Sequence, residues 1–471
     1  MTANDVSQAW QLSASELQRR YRAGSLTPRA VVESCLARLE AVNPTLNAVV
    51  ARRDAAVLDE ASAAGARFAA GRPLSPLDGI PLSIKDNLLT CDLPTTWGSP
   101  ALREHRAACD ELPVARLRAA GALILGKTNV PEFTLEGYTS NRLFGTTRNP
   151  WNPALTPGGS SGGAVAGVAA GIAPLALGTD GGGSIRRPAS HCGVVGLKPS
   201  IGALARGQGL PSLLLDFEVV GPMARTVADV KLLFDALRGP RVTDRHSLAA
   251  EAARAPRRGA GPLRILYVPT LDGAPVDPEI AANCAWAARR LADLGHTVTE
   301  GAMPLDLAFM ATAWPVVGQV GLAHLFETHP AWREGASAKY LEMAQQGAAQ
   351  PAARLWEILE TVAQLRSDCA RLFSDIDVLV TPAAAALPWP AEEAFPSVIA
   401  GQTVGPRGHA VFTAWVNAAG LPALAVPAQP SSSGLPIGVQ IIGAYGADDM
   451  LLELGAAYEA AAPWADRWPP L

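Results

Sequence analysis

Residues 175–193 read "LALGTDGGGSIRRPASHCG": a short apolar run, an aspartate, three consecutive glycines, a serine and two arginines. The apolar run has the length and composition of a buried strand, and the glycines end it with backbone that no side chain shields. Uncovered amides beside a hydroxyl are what a developing oxyanion requires. Ser184 is therefore a candidate nucleophile at the start of a short helix, and Gly181, Gly182 and Gly183 are candidate oxyanion-hole residues. Standing alone, the same stretch also fits a tight turn capped by a serine.

Two other stretches bear on the choice. "TPGGSSGGAVAGVAAG" (156–171) brackets Ser160 and Ser161 with glycines and continues into an Ala/Gly helix, without either of the glycine spacings that cradle phosphates. "GIPLSIKDN" (79–87) ends an alternating apolar strand on Lys85. Lysine is scarce, at positions 85, 127, 198, 231 and 339 only, among 39 basic residues. A desolvated lysine loses its proton readily enough to act as a base, and an arginine does not. By itself Lys85 also fits a strand-end lysine whose head snorkels to water. Taken together, two serines in separate glycine-rich loops and one lysine in an apolar strand compose a relay of base, bridging hydroxyl and nucleophile.

The rest of the chain suits a small-molecule enzyme. Of 471 residues 49% are hydrophobic and 17% charged, with a net charge of -4, a globular composition without the basic footprint of a nucleic-acid or membrane-surface binder. The N-terminal "MTANDVSQAW" lacks a secretory pattern and no run of about 18 apolar residues occurs, so the expected location is cytoplasmic. Six scattered cysteines and seven scattered histidines lack metal-ligand spacing, so neither a metal nor an organic cofactor is expected.

Strand patterns at 80–85, 122–126, 173–178, 263–268, 377–383, 422–427 and 436–443 alternate with helical ones near 53–69, 111–120, 226–238, 277–294 and 448–461. The expected fold is α/β, a mixed and largely buried central sheet flanked by helices. Earlier helices run from Ser13 to Gly24 and from Thr27–Pro28 to a stop at Asn43–Pro44. Linker-like composition occurs at 254–262 and 386–397. One continuous domain over 1–471 is expected, with a catalytic core at about 60–240 and a variable, lid-forming region at about 300–410.

"GGSSGG", then "GTDGGGSIRRPA", with "PLSIKD" upstream, resembles the amidase signature family of serine hydrolases. "AGALILGKTNVPEF", "GTTRNPWNP", "CGVVGLKPSIG", "VVGPMARTVADV", "VNAAGLPALAVP" and "GLPIGVQIIG" extend the resemblance over about residues 10–460, with little in 300–400. The resemblance implies the amidase signature fold, Lys85 as general base, Ser160 as bridging serine, Ser184 as nucleophile and a cis Gly159–Ser160 peptide bond. The backbone amides of residues 181–184 would form the oxyanion hole. The implied reaction is cofactor-free hydrolysis of a small amide, anilide or carbamate through an acyl-enzyme, by a monomer or homodimer.

The family commonly has a branched residue where this chain has Gly181, which implies extra room beside the nucleophile. Trp97, Tyr138, Thr139 and Ser140 are expected to line the substrate pocket, Arg187 to reach a substrate carboxylate, Arg186 to pair with Asp180, and His191 to be structural. A lid is expected from 306–320 and Trp356. Two alternatives stand beside this reading. One is a glutamine-dependent transamidation subunit with tRNA and protein partners, although such subunits place an acidic residue about where Ala410 stands. The other is an α/β-hydrolase esterase with Ser160 on its elbow and His296, His324, His329 or His409 in its triad. Against the esterase, "RNPWNPALTP" before Ser160 reads as loop and not as strand.

Overall fold

The computed structural model describes residues 7–254 and 261–471, and its backbone is organised by one mixed sheet of eleven strands. From edge to edge these are Val49–Arg52, Leu123–Thr128, Pro81–Lys85, Leu175–Asp180, Val219–Ala224, Val195–Lys198, Ala423–Pro427, Gly438–Gly443, Val378–Pro382, Arg264–Tyr267 and Thr297–Glu300. Pro81–Lys85 runs parallel to both of its neighbours, and Arg264–Tyr267 does the same near the far edge. The other pairings are antiparallel. Every residue of Pro81–Lys85, Leu123–Thr128 and Leu175–Asp180 is buried, as strands covered by helices on both faces must be.

Seven of the eleven strands coincide with the sequence patterns; Val49–Arg52, Val195–Lys198, Val219–Ala224 and Thr297–Glu300 do not. Three of these are only four residues long. The fourth carries Gly221 and Pro222, which read as breakers, yet it pairs on both sides. Gly221 is required there because a Cβ would lie 2.1 Å from the Leu197 carbonyl oxygen.

The helical patterns are found at Asp54–Ala69, Leu112–Ala119, Val227–Leu237, Pro278–Asp293 and Asp448–Ala461. Thr27 caps Pro28–Leu46 by accepting from the Ala30 N–H at 3.3 Å. That helix passes the expected stop at Asn43–Pro44 and ends shortly after it. In a last turn Pro44 forfeits a single bond, and the Asn43 carboxamide oxygen captures the Ala48 and Val49 N–H groups at 2.9 Å each.

The sheet takes strands from both sides of the stretch 254–262, most of which lies outside the described residues. The second linker-like stretch, 386–397, is packed into the structure. Trp389 is buried, donates to the Glu393 carbonyl at 2.9 Å and lies against the rings of His191 and His409. Within 300–410 the helices Met310–Thr328, Ala338–Ala348 and Ala352–Asp375 share an apolar cluster with Phe133 and Trp415. Trp356 is 67% exposed, donates to Glu360 at 3.1 Å and is not among the residues that line the cavity described below.

Candidate active site

Parallel neighbours bring their C-terminal ends together, and here Ile84 stands opposite Leu177. The next residue, Lys85, therefore ends beside Thr179, just before the triple-glycine loop. Its Nζ lies 3.0 Å from the Thr179 carbonyl oxygen, 2.9 Å from Thr179 Oγ1 and 2.8 Å from Ser160 Oγ. The side chain is fully buried. Desolvation pushes its pKa down to about 7, partly opposed by the negative charges of Glu218 and Asp180.

The serine loop is held by close backbone approach. The Gly159–Ser160 peptide is cis, and a Cβ on Gly159 would lie 2.1 Å from the Tyr138 carbonyl oxygen. Thr139 Oγ1 donates to the Gly158 carbonyl at 2.9 Å and accepts from the Gly162 N–H at 3.2 Å, buckling the loop just before the helix Gly162–Ala169. The Ser161 N–H donates to the Ser184 carbonyl at 3.1 Å, which joins the two serine loops side by side.

Beyond Asp180 the chain turns through the three glycines into Arg186–Cys192. Asp180 organises this turn by accepting from the N–H of Gly183 at 2.6 Å and of Ile185 at 3.0 Å, and from both Nε and Nη2 of Arg186. Burial alone would raise its carboxyl; the Arg186 charge and these donors outweigh that and hold it well below the usual carboxylate range. Asn417 Nδ2 donates to the Asp180 carbonyl at 2.8 Å, and Thr413 Oγ1 to that of Gly182 at 2.8 Å. The expected Arg186–Asp180 pair is present, with both side chains wholly buried. The Gly183 N–H, however, is engaged by Asp180 and withdrawn from the four expected oxyanion donors; Gly181, Gly182 and Ser184 make no amide hydrogen bond among the described residues. Asp180→Ala strands the buried Arg186 charge, and a loss of about 3–5 kcal/mol in unfolding free energy is expected by chemical denaturation. A loss below about 1 kcal/mol would mean that the carbonyl partners hold Arg186 without it.

The pattern of the amidase family matches residues 30–452. The chain belongs to this family. It is 36% identical to an acylamidase of Rhodococcus erythropolis over 97% of both chains. It is also 34% identical to the glutamyl-tRNA(Gln) amidotransferase A subunit of Symbiobacterium thermophilum, over 98% of this chain and 99% of the other. Among solved structures, a bacterial aryl acylamidase of the amidase signature family superposes with a TM-score of 0.87 at 30% identity. A 6-aminohexanoate cyclic dimer hydrolase bound to its substrate superposes with a TM-score of 0.87 at 29%. Each structure covers 98% of this chain and 99% of its own. The chain is thus an amidase, a hydrolase acting on carbon–nitrogen bonds, with the amidase signature fold.

In this amidase Ser184 opens onto a cavity of about 670 Å³. Its apolar wall includes Leu214, Met310, Trp314, Met343 and Trp415, of which Met310 and Trp314 come from the stretch 306–320. Arg187 lines the cavity, as does Ala410. Trp97, Tyr138, Thr139 and Ser140 do not. Trp97 packs on Phe133 and donates to Thr134 Oγ1 at 3.1 Å, Ser140 bonds Thr146, and Tyr138 and Thr139 clamp the serine loop as described. The room expected beside Gly181 is taken, since a Cβ there would lie 2.6 Å from Leu214 Cδ1. Gly182 faces Trp314 in the same way. No sequence signal singled out Leu214, Arg407 or Trp415.

His191 bonds the Ala386 carbonyl, and no histidine hydrogen-bonds Ser160 or Ser184 among the described residues. One group, Cys91, Asp92 and Asp110, brings potential metal-ligand atoms within 4.8 Å of one another. Both aspartates are ion-paired to Arg118, and the group shares no residue with the cavity. No described helix is long and apolar enough to cross a membrane.

Proposed function

We propose that this amidase hydrolyses small-molecule amides, anilides and carbamates among them, through an acyl-enzyme on Ser184, with Ser160 passing protons between Ser184 and Lys85. The observation that carries this reading is the buried contact of 2.8 Å between Lys85 Nζ and Ser160 Oγ, in the loop joined to that of Ser184. The hydrogen bonds at Nζ suit a neutral amine. The Thr179 carbonyl can only accept and takes one N–H; Thr179 Oγ1, which also accepts from Asn87 at 2.9 Å, takes the second. The lone pair is left for the Ser160 hydroxyl proton.

In the forward step Lys85 accepts the Ser160 proton, Ser160 accepts that of Ser184, and the Ser184 oxygen bonds the carbonyl carbon. The oxyanion meets the amides of Gly181, Gly182 and Ser184. As the C–N bond breaks, the proton returns through Ser160 to the departing amine. Water then repeats the cycle on the ester, releasing the acid and restoring Ser184.

Because the base must be neutral, kcat/KM is expected to rise tenfold per pH unit below an apparent pKa near 7 and to level off above it. A flat profile from pH 6 to 9 would sink the relay. Ala410 in the cavity lining supports hydrolysis by the chain alone over transamidation in a complex. Turnover of an anilide by the purified chain, with no partner, tRNA or nucleotide, tests that choice; silence under those conditions would favour the complex.

A further inference from the structure

The cavity at Ser184 contains two guanidinium groups, and among the described residues no carboxylate hydrogen-bonds either of them. Arg187, only 4% exposed, lies three residues beyond the nucleophile. Its Nε reaches the Gly183 carbonyl at 3.4 Å and its Nη1 the His409 Nε2 at 3.2 Å. Neither partner is an anion: one is a backbone carbonyl, the other a histidine that burial and two nearby arginines keep neutral. Nη2 has no acceptor among the described residues. Arg407 stands 5.5 Å from the Trp314 ring centroid, and its Nη2 is buried without a partner. The Trp415 Nε1, in the same lining, is buried and unpartnered too.

The acids of the lining are engaged or outside. Glu136 acts on both arginines through its charge, but its Oε1 is taken up by Lys339 at 2.5 Å and Tyr340 at 3.5 Å, and Asp272 is exposed. Arg186, which is wholly buried, is paired with Asp180, and the partly buried Arg206 and Arg53 with Glu111 and Glu218 and with Glu60. An arginine cannot shed its proton to escape burial, so two in one cavity with no carboxylate bonded to either repel each other and keep N–H groups without an anionic acceptor. A bound carboxylate answers both deficits with the planar, two-oxygen geometry that guanidinium groups fit.

We propose that the amide cleaved at Ser184 carries a carboxylate, held by Arg187 and Arg407 with the Trp415 N–H as a further donor. The apolar half of the substrate then packs on Leu214 and Trp314. Assigning the anion to the substrate rests on the reading of Ser184 as nucleophile; the anion site itself does not.

Two substrate pairs test this and locate the charge. Glutaryl- and valeryl-p-nitroanilide differ by a carboxylate on the acyl half, and 4-acetamidobenzoate and 4-methylacetanilide by one on the amine half. In one pair the charged member is expected to be preferred by about thirtyfold or more in kcat/KM, and Arg187→Met or Arg407→Met to cut that ratio at least about tenfold. The ratio is internal to each preparation, so partial misfolding does not mimic the effect. Calorimetry of glutarate with Ser184→Ala protein reads the site without turnover, and binding is expected to be lost when Arg187→Met is added. Amide hydrolysis with no charged preference in either pair, or no glutarate binding, would overturn the proposal. Glutarate binding that depends on Arg187, in a chain that cleaves no amide, would uphold the anion site and refute the nucleophile instead.

Discussion

Alanine at position 184 is expected to lower kcat for an anilide by about 10⁵-fold while leaving the thermal melting temperature nearly unchanged. The two halves of this expectation have separate causes. Among the described residues the Ser184 hydroxyl makes no hydrogen bond, whereas its carbonyl, which alanine retains, accepts from Ser161 at 3.1 Å. The loop, the Asp180 network and the amides facing the oxyanion therefore survive, and only the attacking oxygen is gone. What activity remains comes from water attacking a carbonyl that the amides still polarise. A loss of tenfold or less would place the nucleophile elsewhere.

The second large effect is at Lys85. Lys85→Met keeps the length of the side chain and removes the group that lies against the Ser160 hydroxyl to take its proton, so kcat/KM is expected to fall by about 10³–10⁴-fold. The Thr179 carbonyl and Oγ1 lose a donor in the same step, and some stability goes with it. A purely structural lysine would also lower activity, by unfolding. The pH profile separates the two causes. The residual rate of the Met variant is expected to lose the rise near pH 7, because the titrating base is absent. Persistence of that rise in the variant would assign it to another group.

That group has an identified rival, which shows how far the sequence carries the site. Lys85, Lys127 and Lys198 are all fully buried, and burial lowers all three, with Lys198 also reaching about 7. Neither burial nor pKa selects the base. Surroundings do: Lys127 is paired with Asp86 at 3.2 Å, Lys198 donates to the Pro199 carbonyl at 2.7 Å, and Lys85 alone of the three bonds a serine. The family resemblance pointed to Lys85 beside the two serines, and the structure brings Lys85 to Ser160; the glycine-rich loops themselves were legible because local backbone demands set them, and the residues state those demands directly.

The cavity was legible only in part, because its walls come from chain distant in sequence. Leu214, Arg407 and Trp415 carry no motif, and each reaches the cavity only through the packing of the helices and loops around it. Nearness in sequence misleads for the opposite reason. Thr139 is close to Ser160 along the chain and in space, but it serves the loop by bonding Gly158 and Gly162, with no side left for a substrate. Gly181 reads as an opening until Leu214, from a segment with no distinguishing pattern, is found filling it. Strands such as Val219–Ala224 were hidden by a glycine and a proline, and the reason for the glycine, the Leu197 carbonyl, lies in the neighbouring strand.

The relay is tested most directly by trapping the enzyme with a fluorophosphonate and locating the adduct. Ser160 and Ser184 share a single tryptic peptide, residues 149–186, so fragmentation between them must assign the modified oxygen. The adduct is expected on Ser184, formed rapidly by the unmodified protein and slowly by Lys85→Met. An adduct on Ser160, or equal labelling of the two proteins, would contradict the assignment of nucleophile and base.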